Sequence, residues 1–182
     1  MKINDHYHKG PVQDLLNAVV VQAVEDYREY SAKLIVKPGS RQAAKDLEEV
    51  KSFFLSEDFC FYTKVGGDYI LKKLDEQLRE DQHAFDEFRA MEAEVKQEAK
   101  KIAMEEMKKQ FTCVGITETC EWQIPDGKER LTEMIKKLRK KYRSLPDYIR
   151  KYVKMTGYEA TMQIAYARVQ EDILNRKESL WG

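Results

Sequence analysis

From Tyr69 to Gln110 the chain contains neither Gly nor Pro. Leu71, Leu74, Leu78, Phe85, Phe88, Val95, Ile102 and Phe111 form a sparse apolar stripe there, set among Glu, Lys, Gln and Ala. These residue types lose little freedom in a helix, and nothing in the run interrupts its hydrogen bonds. The stretch therefore predicts one long helix, or two that meet near Asp81-Gln82. At 1.5 Å per residue a helix of about 40 residues reaches roughly 60 Å. That exceeds the width of a domain of this size, so part of it is expected to project or to pack on a second copy, giving a homodimer.

The flanking segments predict further helices. After a polar lead-in over residues 1–10, Pro11 suits a first helical turn, where its missing N–H costs nothing. Leu15, Leu16, Val19, Ala23, Tyr27, Tyr30 and Leu34 then recur at three- and four-residue steps. Lys37-Pro38-Gly39 ends that helix, and Ser40 can cap another with the stripe Ala43, Ala44, Leu47, Val50, Phe54. The two should form an antiparallel hairpin. Ser56 is expected to cap a short turn carrying Phe59, Phe61 and Tyr62. Gly66-Gly67 breaks the chain before Asp68, a good N-cap.

Between Phe111 and Gly127 apolar and polar residues alternate, which predicts short strands at Thr112–Ile116 and Thr119–Ile124. Asp126 with Glu129 has capping-box spacing before a helix through Leu145, and Thr156 with Glu159 has it before a last helix to Glu178. Pro146 starts a short helix between them. The fold class expected is mainly α: a helical hairpin plus a long helix, with a small β-hairpin and a C-terminal helical unit, α+β overall if the hairpin extends. The division expected is 1–80 as an N-terminal helical domain, 81–111 as a connecting helix, and 112–182 as hairpin and basic helices.

Composition narrows the function classes. Of 182 residues, 42% are hydrophobic and 35% charged, too apolar for a disordered tail and too charged for a membrane protein. No run approaches the roughly 18 apolar residues of a membrane span. The run Ala18–Val21 is too short for a signal peptide and follows a polar start. Cys60, Cys113 and Cys120 are odd in number and far apart, which fits a reducing cytoplasm better than a disulfide framework.

Catalytic signatures are sparse. No Ser or Cys sits in the Gly-rich surroundings of a nucleophile with an oxyanion site. Cys113 and Cys120 have poor zinc spacing. His6 and His8 have only Asp5 near them. His83 among Asp81, Asp86 and Glu87 could hold a metal for phosphodiester hydrolysis, but acidic residues occur at every turn of that run and read first as a solvated face. Gly66-Gly67 is too short to cradle phosphate. The expectation is a binding protein rather than an enzyme, with no catalytic residue, metal site or cofactor; a metal-dependent nuclease ranks last.

Charge is more informative. Lys plus Arg and Asp plus Glu number 32 each, for a net charge of zero. Yet Asp75–Glu98 is acidic and Lys128–Lys154 is basic, so the segments either pair across a bundle or leave a cationic surface. Lys136, Lys137, Arg139, Lys140, Lys141 and Arg143 fall on a helix with the apolar stripe Leu131, Met134, Ile135, Leu138, Tyr142. Arg150, Lys151 and Lys154 follow, interleaved with Tyr148 and Tyr152. Cations neutralise phosphates and tyrosines stack on unpaired bases, so these eleven residues are the candidate surface for DNA, RNA or an acidic partner. Asp147–Arg168 also permits a helix-turn-helix, although its second helix is poor in bases.

One segment is familiar. Phe53-Phe54-x-Ser56-x-x-Phe59-x-x-x-Thr63-x-x-x-Gly67-x-Tyr69-Ile70-Leu71-x-Lys73-Leu74 resembles small accessory proteins of phages and conjugative elements of Gram-positive bacteria, as does Gln22-Ala23-Val24-Glu25-Asp26-Tyr27-Arg28. The likeness spans about the first 80 residues and departs at Asp58, where an aromatic residue is expected, and at Gly66, where an acidic one is common. Its own physical content is packing, with Phe53, Phe54, Phe59, Tyr69 and Leu74 clamping a turn. The resemblance implies a type II anti-CRISPR protein that inhibits Cas9, or a Cas9–guide RNA complex, by stoichiometric binding. The alternative is a nucleic-acid-binding regulator that uses the basic C-terminal helices.

Overall fold

The structure, a computed structural model, describes residues 10–113 and 125–181. They form α1 (Pro11–Val36), α2 (Arg41–Phe54), a 3-10 turn (Glu57–Phe61), α3 (Gly67–Cys113), α4 (Pro125–Ser144), α5 (Asp147–Arg150) and α6 (Tyr158–Trp181). There is no strand among the described residues. Thr112 and Cys113, expected to open a strand, instead close α3, because the helical run upstream carries them on. The rest of the proposed hairpin, 114–124, lies outside the described residues, as do His6 and His8.

The chain divides into two compact units. One comprises the residues up to Phe85 together with Leu145–Val153, the other Asp86–Ser144 and Lys154 onward. α3 runs unbroken through Asp81-Gln82 and contributes its first part to one unit and its remainder to the other.

In the first unit α1 starts with Pro11 in its opening turn and stops before Lys37. The Ser40 hydroxyl accepts the Ala43 N–H at 3.4 Å and so caps α2. Four loop residues bring the two helices into an antiparallel hairpin around Ala23, Tyr27, Leu47, Phe54, Phe59 and Leu74. Phe53 meets Phe54, Phe59 and Tyr62 edge-on at ring separations of 5.7, 5.4 and 5.3 Å, which closes the aromatic turn. Tyr69 is not part of this clamp: it is 57% exposed, one residue off the buried side of α3. Ser56 does stand at the cap of the 3-10 turn, its carbonyl accepting the Phe59 N–H at 3.1 Å, but its hydroxyl donates backwards to the Phe53 carbonyl at 2.8 Å and makes no capping bond.

Gly67 shows why the chain breaks at the paired glycines. A Cβ there would lie 1.8 Å from the Phe54 carbonyl oxygen, so α3 can begin against the end of α2 only without a side chain. α3 also begins earlier than expected. The Gly66 carbonyl accepts the Ile70 N–H at 3.2 Å, which makes Gly66 the capping residue and places Asp68 in the first turn, beside the positive helix end.

In the second unit α3 and α4 run antiparallel. Glu87 pairs with Lys141, the Phe88 and Tyr142 rings lie 6.0 Å apart, and Glu98 meets Arg130 at 3.5 Å. Phe88, Val95, Ala99, Ile102, Ala103 and Met107 of α3 are buried with Leu131, Ile135 and Leu138 of α4 and Met162, Ala165 and Val169 of α6. Burying each large aliphatic side chain contributes about 1.5–3 kcal/mol. The expectation of a second copy rested on a helix too long for one chain to cover. The chain's own residues bury α3 along both parts, so its length gives no reason for a dimer.

The caps of the last helices also differ from expectation. α4 begins at Pro125, so Asp126 is inside its first turn. Gly157 caps α6, accepting the Thr161 N–H at 3.0 Å, while the Thr161 hydroxyl also donates to that carbonyl at 2.8 Å. No described helix is long and apolar enough to cross a membrane.

Candidate nucleic-acid interface

The eleven candidate residues divide between the units. Lys136, Lys137, Arg139, Lys140, Lys141 and Arg143 lie on α4, with Lys154 in the same unit; Tyr148, Arg150, Lys151 and Tyr152 belong to the first unit.

On α4 the apolar stripe fixes which side chains reach water. Leu131, Ile135 and Leu138 are buried at four- and three-residue steps, and Met134 and Tyr142 are half-buried beside them. At 100° per residue the opposite face carries Lys136, Lys140 and Arg143 at i, i+4 and i+7, flanked by Lys137 and Arg139, and all five are exposed. Eight consecutive residues, Lys136 to Arg143, thus hold six cations and no acid.

Partners account for only part of this charge. Lys141 is half-buried against Glu87, and Lys136 reaches Glu133 on its own helix at 3.7 Å. Lys137, Arg139, Lys140 and Lys154 have no ion pair among the described residues. The acidic part of α3 therefore pairs with Lys141 and Arg130 on the flanks of α4, while Lys137, Arg139 and Lys140 keep an unpaired cationic surface among the described residues. Lys141 and Arg143 fall in the last turn, where the negative helix end favours them by about 0.3–1 kcal/mol each. That explains two of the six cations without any partner. Lys136 and Lys137 stand two turns before the helix end and gain nothing from it.

The tyrosines and their neighbours are engaged within the first unit. The Tyr148 hydroxyl donates to Asp81, and burial together with that carboxylate pushes its phenol well above the usual value. The Tyr152 hydroxyl donates to Glu29 at 2.9 Å, and Lys151 reaches the same carboxylate at 3.2 Å. Lys33 and Lys151 lie 5.8 and 5.6 Å from the Tyr152 ring centre. Both hydroxyls are thus engaged inside the unit, and both side chains are half-buried. Hydrogen bonds from Lys33, then Tyr152 and Lys151, hold the Glu29 carboxyl down at about 2. Arg150 pairs with Asp147 of its own turn. These residues lock α5 onto α1 and serve the fold.

The other candidate sites come apart. α5 is a single turn packed on α1, so Asp147–Arg168 does not form a helix-turn-helix. His83 is exposed on α3 while Asp81 is taken by Tyr148. Among the described residues no three His, Cys, Asp or Glu side chains converge as ion ligands. Lys128, exposed on the first turns of α4, was not singled out from the sequence because Glu129 and Glu133 dilute the charge around it.

No protein-family model, curated protein sequence or solved structure matches the chain.

Proposed function

We propose that the protein acts by non-covalent binding, using the solvent face of α4 to hold the phosphates of a nucleic acid, and that the target is a guide-RNA-bound nuclease of the Cas9 type, which it inhibits stoichiometrically. One observation supports the contact: Lys136, Lys137, Arg139, Lys140 and Arg143 stand together on the face opposite Leu131, Ile135 and Leu138, and Lys137, Arg139 and Lys140 have no ion pair among the described residues. Such a row attracts a polyanion by releasing its counterions. The choice of nuclease is supported by the resemblance over residues 50–74 and residues 22–28.

The test couples two readouts. A labelled single-stranded RNA should be retained at low salt by the wild-type chain. Neutralising Lys136, Lys137 and Lys140 to Gln should weaken retention and lower the log–log salt slope by about 0.7 for each lost contact, and reversing them to Glu should abolish retention. The same variant should lose inhibition of target cleavage by a Cas9–guide complex, an inhibition that saturates near equimolar inhibitor for wild type. Absence of retention at low salt refutes the phosphate contact. Retention without inhibition refutes the nuclease target and leaves a nucleic-acid-binding regulator.

A further inference from the structure

The first unit carries a surface of opposite character. Between α1 and α2 lies an open groove of about 420 Å³. Val19, Ala23, Val50 and Phe53 form its floor, and Asp26, Asp46 and Glu49 stand on its walls. The side-chain partners of the two aspartates are amides, Gln22 at 2.8 Å and Gln42 at 2.6 Å. Among the described residues Glu49 pairs with Lys45 alone, at 3.6 Å, with both side chains about seven-tenths exposed. Three carboxylates thus border an apolar floor with one weakly held lysine among them.

The floor also continues beyond the groove. Val12, Leu15, Val19 and Ala23 follow one another at three- and four-residue steps on one face of α1, and Val12 and Leu15 are 67% and 65% exposed. At 1.5 Å per residue that strip is about 17 Å long, three turns of helix. Two antiparallel helices leave between them the kind of furrow into which a third helix packs.

We propose that this groove docks a basic amphipathic helix from a partner protein. Its apolar side chains, at i, i+3 or i+4 and i+7, would lie along Val12, Leu15, Val19, Ala23, Val50 and Phe53, with Lys or Arg directed to Asp26, Asp46 and Glu49. Charge complementarity selects this occupant. The acidic walls repel nucleic acid and anionic lipid alike. A second copy of the chain is a poor fit, because the apolar face of its own basic helix, α4, is already buried by Leu131, Ile135 and Leu138.

The full-length isotope-labelled chain tests this by titration with a peptide of about 14 residues, with Leu at helix spacing and Lys elsewhere. A counterpart with Glu in place of Lys serves as the sign control. Amide resonances of Val19, Ala23, Val50 and Phe53 should move with the Lys peptide, and binding should weaken as salt rises. The Asp26→Asn, Asp46→Asn, Glu49→Gln triple variant should bind about tenfold more weakly while melting as wild type does. The proposal is overturned if the Glu peptide binds as well as the Lys peptide, if the shifts fall outside the groove, if the folded triple variant keeps its affinity, or if the chain instead self-associates through these residues. Should the triple variant fail to fold, the peptide-sign and salt comparisons on wild type decide the matter.

Discussion

Replacing Gly67 by Ala sets two physical effects against each other. Helix propensity alone predicts a gain, since Ala in a helix is about 0.8–1.0 kcal/mol better than Gly. The structure predicts the reverse. The added Cβ would sit 1.8 Å from the Phe54 carbonyl oxygen, 2.7 Å from its carbon and 3.0 Å from the Phe59 ring. A carbon–oxygen contact needs more than 3 Å or so, so α2 and α3 must separate by over an ångström in a close-packed interior. The obstructing atoms are backbone and cannot rotate away. Overpacking of this kind costs roughly 1–3 kcal/mol and occasionally more, and the depth of this clash puts it at the upper end, about 3 kcal/mol. At Gly66 the nearest atom to an added Cβ is a carboxylate oxygen of Asp68, a side chain that can turn aside. Gly66→Ala should therefore cost no more than about 1 kcal/mol, the loss expected at a capping position. Urea unfolding followed by circular dichroism, with amide exchange in α2 as a local probe, separates the two variants. A Gly67→Ala protein as stable as wild type, or more so, would refute the close-approach reading.

The phenols predict alkaline behaviour. Tyr27, whose hydroxyl donates to Asp75 at 2.5 Å, is raised by burial and then by that carboxylate, and Tyr148 is raised likewise by burial and Asp81. The unfolded chain ionises these groups near the ordinary value of 10.0 while the folded chain keeps its protons. Stability should thus hold below about pH 10 and fall above it, more gently in Tyr27→Phe, which should also lose about 1–2 kcal/mol at neutral pH; an unchanged alkaline slope would contradict this. Glu29 runs the other way. Its carboxyl is held at about 2 against an ordinary 4.5, so its contribution is complete above 4.5 and disappears as pH falls toward 2. Because its side chain is 41% exposed, Glu29→Gln should cost about 1 kcal/mol or less at pH 7 and only a fraction of that at pH 2, where the folded carboxyl is half protonated, as read from urea midpoints at the two pH values.

The helices were legible because their signals are local. Pro11, Ser40 and the apolar steps of α1 and α2 each act within one or two turns, and the structure uses them as read. The caps at Gly66 and Gly157 were missed because Asp68 and Thr156 are better cap formers on propensity alone, and only the arriving chain direction decides between neighbours. Tyr148 and Tyr152 were read as exposed stacking groups because they sit among Arg150 and Lys151. Their true partners, Asp81 and Glu29, are 67 and 123 residues away in sequence. The small buried residues Ala99 and Ala103 also escaped, since alanine marks neither face of a helix. The cationic crest of α4 was legible because one helix carries both the buried stripe and the exposed charge.

The return of Leu145–Val153 to the first unit has a consequence for how the protein is made. Ile149 is fully buried, and the neighbouring Tyr148 and Tyr152 tie to Asp81 and Glu29. The amino-terminal half emerging from a ribosome therefore lacks a piece of its own interior until the whole of α4 has followed it out. Domains ordinarily settle in the order of synthesis; here the first to appear cannot finish before most of the second has been translated, and a nascent chain stalled before residue 145 would leave the groove for α5 open.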